Sequence, residues 1–440
     1  MDTFSVDPAS ERPTERLPAR ELLRLSIYWL GLSSIFAGLN TILTGRLEFD
    51  ALVEPGSAGR TLFLLTIGGA VIAMLVQPTI GSISDYTISR WGRRKPYIFI
   101  GSVLDLVFLI AIALSQDLLA IAVFVALLQF SANFAQGPFQ GYVPDLVPAP
   151  QVGLASALVG VMQILGNVAG FVIAGIAVAT DQFALGLVAL GILELVTMLG
   201  VVIRVREGRA PKSRQARSWA SVAAEAWGTD VLRERSFLFL VASRLAVLMA
   251  GGVLTNLAIF YLARSLGMDQ EGAGGSFTIM VALVAVGTVV TVVPAARLSD
   301  RIGRKRVIYL SCLIGVVGLG LVAVAPSFPL ALLGSVIYGL SAGIFLAVDW
   351  ALMTDIIPKA SSGRYMGLSN VATASAGVLA VAIGGTLMDV VGGADGPRAA
   401  LWLAVGLFGV GALLLRPVDE RRREDLSSAP TVEISPAPAA

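Results

Sequence analysis

The sequence predicts an all-α membrane protein whose twelve membrane-spanning helices fall into two pseudo-symmetric bundles of six. Three observations carry that prediction. Of the 440 residues, 56% are hydrophobic and 14% charged, a balance far from that of a water-surrounded globule. Twelve apolar runs, each near the roughly 20 residues that cross about 30 Å of hydrocarbon, are grouped six and six around a polar gap. A charged pattern in the first half also returns in the second, as duplication of a six-helix unit would produce.

In chain order, residues 1–24 are polar, with Pro8, Pro13 and Pro18. They lack the apolar core of a cleavable signal peptide and are read as a cytoplasmic tail. The N-terminal bundle, 25–203, holds apolar runs at 25–45, 61–84, 97–115, 118–138, 152–178 and 183–203. A cytoplasmic linker follows at 204–236. Its second part, SWASVAAEAWGTDVLRER, has the composition of an interfacial helix anchored by Trp219 and Trp227, and a plain linker fits it equally well. The C-terminal bundle, 237–415, holds runs at 237–263, 275–296, 307–325, 330–353, 366–390 and 399–415. Residues 416–440 are rich in Pro, Ser and charge, and are expected to form a disordered cytoplasmic tail.

Basic residues set the orientation. With the N-terminus inside, 27 of the 32 Lys and Arg fall on the cytoplasmic side, 4 fall in the opposite loops, and Arg244 lies within a run. This places both termini in the cytoplasm of a multi-pass plasma membrane protein, and the Ala-, Val-, Gly- and Arg-rich composition points to a bacterial inner membrane. The lone Cys312 and the absence of His exclude a disulfide framework, a cysteine metal site and the commonest metal ligand and general base. No nucleophile and base pair stands out and no phosphate-binding loop occurs. The expectation is therefore no enzyme, no metal, no cofactor and no nucleic acid, but a monomer whose partners are the bilayer and a small solute.

The recurring charged pattern reads GSISDYTISRWGRRKP at 81–96 and ARLSDRIGRKR at 296–306. Asp85 and Asp300 lie 215 positions apart and Gly92 and Gly303 lie 211 apart, so the first copy carries four extra residues, 86–89. Asp85, Arg90, Arg93, Arg94, Asp300 and Arg304 are read as gating loops. The competing reading is a basic loop that only marks the cytoplasmic side. A second repeat, GPFQGYVPDLVP and AVDWALMTDIIP, sets Asp145 and Pro148 as Asp355 and Pro358 are set, both 210 apart, each an acidic helix end closed by a proline.

The charged pattern resembles the loops between the second and third, and the eighth and ninth, helices of the major facilitator superfamily. The stretches SDYTISRWGRRKP, NFAQGPFQGYVPDL and DWALMTDIIP are similar to the sucrose/proton symporter branch, allied to the glycoside-pentoside-hexuronide:cation symporters. The superfamily likeness covers nearly the whole chain, whereas the branch likeness rests on these three stretches. It implies a secondary active transporter that moves a small polar solute, a sugar or glycoside, by alternating access, with a proton as the candidate coupling ion. The sequence departs from the branch where the coupling acid of plant sucrose carriers falls on Gln129, and where the second helix, 61–84, lacks the acids of sodium-coupled sugar carriers. A drug or metabolite exporter, with a more apolar cavity, and a non-transporting membrane receptor of the same fold remain alternatives.

Ionisable residues inside spans are costly and are usually functional or paired. Asp105, nine residues into the third run, reads as a coupling or structural-network acid or as a buried partner of the adjacent basic loop. Glu194, in the sixth, reads as a second intramembrane acid or as a protonated, hydrogen-bonded one. Arg244 and Asp349 lie at similar depth in the seventh and tenth runs, and read as a gating or substrate-binding pair against simple snorkelling of Arg244. The resemblance makes the first, fourth, seventh and tenth helices cavity-lining. These and their neighbours carry Asn40, Gln129, Asn133, Gln136, Gln163, Asn167, Asn256 and Asn370. Such amides donate to and accept from sugar hydroxyls, and Trp29, Tyr261 and Trp350 offer flat faces to a pyranose ring. Gln129, Asn133, Gln136, Asn167, Asn256 and Trp350 are the expected substrate-binding set. The first three, spaced four and three apart, share one helical face. Amides also tie transmembrane helices together, and glycines such as Gly166, Gly170, Gly384 and Gly385 let helices approach closely.

Overall fold

The computed structural model describes residues 15–418, apart from 51, 55, 86, 88, 206, 208–234, 357–372 and 374. In hydrocarbon each backbone N–H and C=O must find a partner within the chain, which leaves helices for segments this apolar. Among the described residues the regular structure is all helical, with eleven helices long and apolar enough to cross a membrane and one shorter apolar helix. In the first bundle these are α1 (Ala19–Phe49, interrupted at Ile27), α2 (Ala58–Asp85), α3 (Lys95–Leu114), α4 (Leu118–Gln140), α5 (Val152–Ala179) and α6 (Phe183–Arg204). The second holds α7 (Arg235–Ser265), α8 (Gln270–Ile302), α9 (Arg304–Val324), α10 (Phe328–Ile356), α11 (Ser375–Val391) and α12 (Asp395–Leu414).

Local chemistry fixes several ends. Asp117 and Asp269 cap α4 and α8 by accepting from the N–H groups of Ala120 and Gly272 at 3.0 and 2.9 Å. Gly92 and Gly303, which precede the basic triplets of the two repeated loops, have φ of +115° and +97°. A side chain would be strained there, so the repeated glycine has a backbone reason.

Within the first bundle α1 packs on α5 and α6, α3 on α4 and α6, and α2 on α4; in the second, α7 packs on α12, α9 on α10 and α12, and α8 on α10. Small residues permit the closest crossings: a Cβ on Gly166 of α5 would stand 2.9 Å from the Leu30 Cα of α1. The exposed surface is apolar, with Leu64, Leu75, Leu114, Leu119 and Val390 among its side chains, as a lipid-facing surface should be.

The helix ends differ from the sequence expectation at several places. α1 runs to Phe49 instead of ending at 45, which moves Arg46 from a loop into a helix. Its guanidinium is satisfied there, by Asp50 at 2.9 Å and by the carbonyls of Ile112 and Ser115 at 3.1 and 2.9 Å. α8 extends beyond 275–296 at both ends, capped by Asp269 at its start and closed by Gly303. The expected interfacial helix over 218–235 falls almost entirely, and both tails largely, outside the described residues, as does Asn370.

Candidate functional site

The two bundles meet along α1–α7, α2–α11 and α5–α8. The polar and glycine contacts across these pairs lie toward the side where α1 ends and α2 begins, here the far side, opposite the near side where α1 begins and α12 ends. Where α2 crosses α11, a Cβ on Gly59 would stand 2.7 Å from the carbonyl carbon of Gly385. The Asp389 carboxylate accepts there from the N–H groups of Gly59 (3.2 Å) and Arg60 (2.7 Å), at the positive end of α2. Where α5 crosses α8, a Cβ on Gly274 would stand 2.6 Å from the Gly175 carbonyl oxygen. Gln270 Nε2 donates across this crossing to the Val178 carbonyl at 3.1 Å and to Asp181 at 2.8 Å.

At the α1–α7 crossing Arg264 grips Glu48, with Nε 2.9 Å from both carboxylate oxygens, and its guanidinium lies 4.9 Å from the centre of the Phe260 ring. Deeper in the membrane, Asn40 Nδ2 donates to Asn256 Oδ1, and Thr44 Oγ1 lies 3.4 Å from the Asn256 carbonyl. Glu48 and Arg264, like Asn40 and Asn256, are 216 residues apart, close to the shift of the sequence repeat. Equivalent residues of the two halves thus face each other across the pseudo-twofold axis. The same axis exchanges the two glycine crossings, since shifts of 215 and 210 carry Gly59 onto Gly274 and Gly175 onto Gly385, so that the α2–α11 contact is the counterpart of the α5–α8 contact.

Below the far-side contacts a cavity of about 140 Å³ opens between α5, α7 and α8. Apolar side chains including Phe171 and Met280 line it, with Asn167, Thr255 and Thr288 as its polar groups. Asn167 is exposed, whereas Thr255 and Thr288 spend their hydroxyls on helix carbonyls. Of the expected amide face on α4, Gln129 lies on the α2–α4 seam, where a Cβ on Gly69 would stand 2.7 Å from its side chain. Asn133 is buried and donates back to the Gln129 carbonyl at 2.7 Å, and Gln136 is half-buried. The spacing therefore predicted a shared face, but not which neighbour each residue meets.

Arg244 and Asp349 form a buried ion pair between α7 and α10, so Arg244 does not snorkel to the near side. Arg244 Nε also donates to Thr373 Oγ1 at 3.1 Å, and the guanidinium lies 5.2 Å from the centre of the exposed Trp350 ring. The repeat shifts of 216 and 210 carry Arg244 and Asp349 back onto Tyr28 and Phe139. Those two rings pack edge-on at 4.8 Å, so one half holds an ion pair where the other holds an aromatic contact.

Asp105 and Glu194, read separately in the sequence, come together between α3 and α6. Asp105 accepts from Ser131 of α4 and Glu194 from Tyr28 of α1. A pairing of Asp105 with the basic loop is not what the structure contains. In that loop Arg93 and Arg94 both pair with Asp145, and Arg94 donates to the Pro138 carbonyl at 2.7 Å. Glu207, absent from the sequence-derived set, accepts from the N–H groups of Arg94 and Lys95 at 2.9 and 3.0 Å and from the Tyr142 hydroxyl. Its one signal in the sequence is an acid directly beyond α6. Arg90 is exposed, Asp85 is the last residue of α2, and Arg304 pairs with Asp300 at 2.8 Å one turn away. These ion pairs of the two repeated loops each lie inside one bundle.

The sequence matches the profile of the Major Facilitator Superfamily over residues 26–286 and 242–439. A sucrose transport protein of rice, Oryza sativa subsp. japonica, is 32% identical over 125 residues, 23% of this chain and 23% of that protein. The minor myo-inositol transporter of Bacillus subtilis (strain 168) is 31% identical over 132 residues, 30% of this chain and 29% of that protein. The human membrane-associated transporter protein is 37% identical over 158 residues, 32% of this chain and 28% of that protein. Each match thus covers less than a third of the relative's length. Among solved structures, a bacterial homologue of the human lysosomal transporter Spinster superposes with a TM-score of 0.71 at 15% identity, covering 92% of this chain and 97% of the other. The nucleoside transporter NupG superposes at 0.66 and 15% identity, covering 90% and 98%. At these identities the superpositions show the fold.

Proposed function

Because the chain belongs to the Major Facilitator Superfamily, we propose that this multi-pass membrane transporter carries a small neutral polyhydroxyl solute, a sugar or polyol, by alternating access in company with a proton. The asymmetry of Lys and Arg supports placing the near side in the cytoplasm of the plasma membrane, so that the conformation described is the one closed to the outside. The observation that carries the solute reading is the Asn40–Asn256 pair, two amides on equivalent helices of the two bundles at the inner edge of the far-side closure. Amides there can exchange their mutual bond for bonds to solute hydroxyls as the bundles part. The two arginines of α7 beyond its first turn are paired, Arg244 with Asp349 and Arg264 with Glu48, which favours a neutral solute. Two of the relatives are named for sucrose and myo-inositol, both neutral and rich in hydroxyls.

Counterflow of labelled sucrose and myo-inositol in proteoliposomes tests this reading. Exchange of at least one is expected. Asn256→Leu should weaken its apparent affinity about 5- to 150-fold, the equivalent of roughly 1–3 kcal/mol for a lost orienting hydrogen bond. The apolar lining by Phe171 and Met280 favours a second reading, an exporter of apolar metabolites, and active efflux of a lipophilic dye with no polyol exchange would establish it instead.

The far-side latch makes a smaller prediction. Glu48→Gln leaves Arg264 without its charge partner, and a partly exposed pair is worth up to about 1 kcal/mol. The outward-open population should rise by up to about fivefold, read as faster alkylation of a cysteine placed at Thr44. An unchanged rate would mean that the pair does not hold the bundles together.

A further inference from the structure

We propose that Asp105 and Glu194 form a carboxyl pair that holds the single proton moved with the solute, an inference that rests on the transporter reading above. Both residues are fully buried. Tyr28 Oη donates to Glu194 Oε1 at 2.8 Å and Ser102 Oγ reaches the same oxygen at 3.0 Å, while Ser131 Oγ donates to Asp105 Oδ1. Asp105 Oδ2 and Glu194 Oε2 receive nothing from any protein donor, yet the two carboxyl groups stand within hydrogen-bonding reach of each other. Two carboxylates are both acceptors and cannot bond; with one proton between them, the bond forms and the buried oxygens are satisfied.

No cationic side chain among the described residues offsets the charge, so one proton lowers it from two negative charges to a single one shared through that bond. The groups that face it are Tyr28 from α1, Ser102 from α3 and Ser131 from α4. Thr197 of α6 turns its hydroxyl to the carbonyls of its own helix at 3.1 and 2.9 Å. Neither acid has an ion pair with Lys or Arg among the described residues. The fold itself does not require acids there. The repeat shift of 210 carries Asp105 onto Gly315, where a Cβ would stand 2.5 Å from the Phe408 ring, and Glu194 onto Ala404. The equivalent place in the second bundle is filled by apolar atoms.

The pair is mechanically joined to the bundle interface through α1. That helix is interrupted at Ile27, one residue before Tyr28, and Asn40 lies about 18 Å further along it at 1.5 Å per residue. At Gly31 the helix touches α6 so closely that a Cβ would stand 2.6 Å from the Glu194 Cα. When α1 pivots within its own bundle at the Ile27 interruption as Asn40 leaves Asn256, the Tyr28 hydroxyl shifts relative to Glu194 and the seam beside it opens. Water entering there takes the proton: the O–H bond of the protonated carboxyl breaks, the proton leaves on water, and both carboxylates remain, hydrated. Rebinding reverses the step.

Infrared spectroscopy of the purified protein in lipid tests the held proton without any solute, and labelled sucrose and myo-inositol in proteoliposomes test its coupling. A carboxylic acid C=O band is expected at neutral pH and should vanish in the Asp105→Asn/Glu194→Gln double variant. Each single variant, near-isosteric and able to keep the hydrogen bonds, should lose accumulation driven by an inward proton gradient while counterflow still occurs; if one fails to fold, the other decides. A band that persists in the double variant, or accumulation that survives in a single variant, overturns the proposal. So does wild-type protein that exchanges a probe but never accumulates it. If neither probe moves, the solute reading fails alone and the infrared band still decides whether the pair binds a proton.

Discussion

Replacing Arg244 by leucine is expected to destabilise the folded protein by about 3–5 kcal/mol, because it leaves the Asp349 carboxylate buried without its cation. The argument is geometric. Both side chains are nearly inaccessible, and Asp349 Oδ1 has no hydrogen-bond donor even in the intact protein, so nothing is at hand to replace the guanidinium. Asp349→Leu should do comparable damage from the other side by stranding Arg244, although the Trp350 face and Thr373 retain part of its environment. The Arg244→Leu/Asp349→Leu double variant should recover most of the lost stability, since paired leucines leave no uncompensated charge, and the coupling between the two changes appears as strong non-additivity. Thermal unfolding in detergent reads all three. A midpoint unmoved in Arg244→Leu would mean that the pair is solvated and that the arginine can reach water by extending toward the near side.

The second large effect is expected at the glycine crossings. In Gly274→Leu the new side chain starts 2.6 Å from the Gly175 carbonyl oxygen, against helix backbone that has no rotamer to yield. Overpacking of this kind typically costs about 1–3 kcal/mol, and here the cost falls only on the conformation in which α5 and α8 touch. The equilibrium should shift toward the far-side-open state by about 5- to 150-fold, so that transport nearly stops while insertion and folding persist. Gly59→Leu should act in the same way at α2–α11, because the repeat makes it the same contact. Alkylation of a cysteine placed at Asn256 by a membrane-impermeant reagent should speed up in both variants. Unchanged alkylation with normal transport would show that these crossings do not form the closure.

How much of this was legible in the sequence depends on how local each cause is. Twelve spans could be read because hydrocarbon thickness imposes a length on each run, and the duplication could be read because both copies keep Gly92 and Gly303 at positive φ ahead of a basic triplet. The Arg244–Asp349 pair could be anticipated from depth alone. Helix ends near charges could not: Arg46 looks like a loop residue until the carbonyls of Ile112 and Ser115, from another helix end, are brought to it. Gln129 and Asn133 show the same gap, since spacing fixes a face of α4 but not that α2 brings Gly69 against it. Asp105 and Glu194 were each visible as costly, but their contact depends on α3 lying beside α6. The Asn40–Asn256 and Glu48–Arg264 contacts were present in the sequence as equivalent positions of a repeat. Knowing that equivalent positions of α1 and α7 face each other requires the pseudo-twofold axis.

The claim that the bundles must part on the far side once per transport cycle is tested most directly by a reversible cross-link. With Cys312→Ser removing the native thiol, cysteines replacing Glu48 and Arg264 can be joined by a short cleavable thiol-reactive linker across α1 and α7. Counterflow of whichever of labelled sucrose and myo-inositol the protein exchanges should stop in proportion to the cross-linked fraction and return on cleavage, with each single-cysteine variant unaffected by the reagent. Counterflow that continues at full rate in completely cross-linked protein would contradict the account.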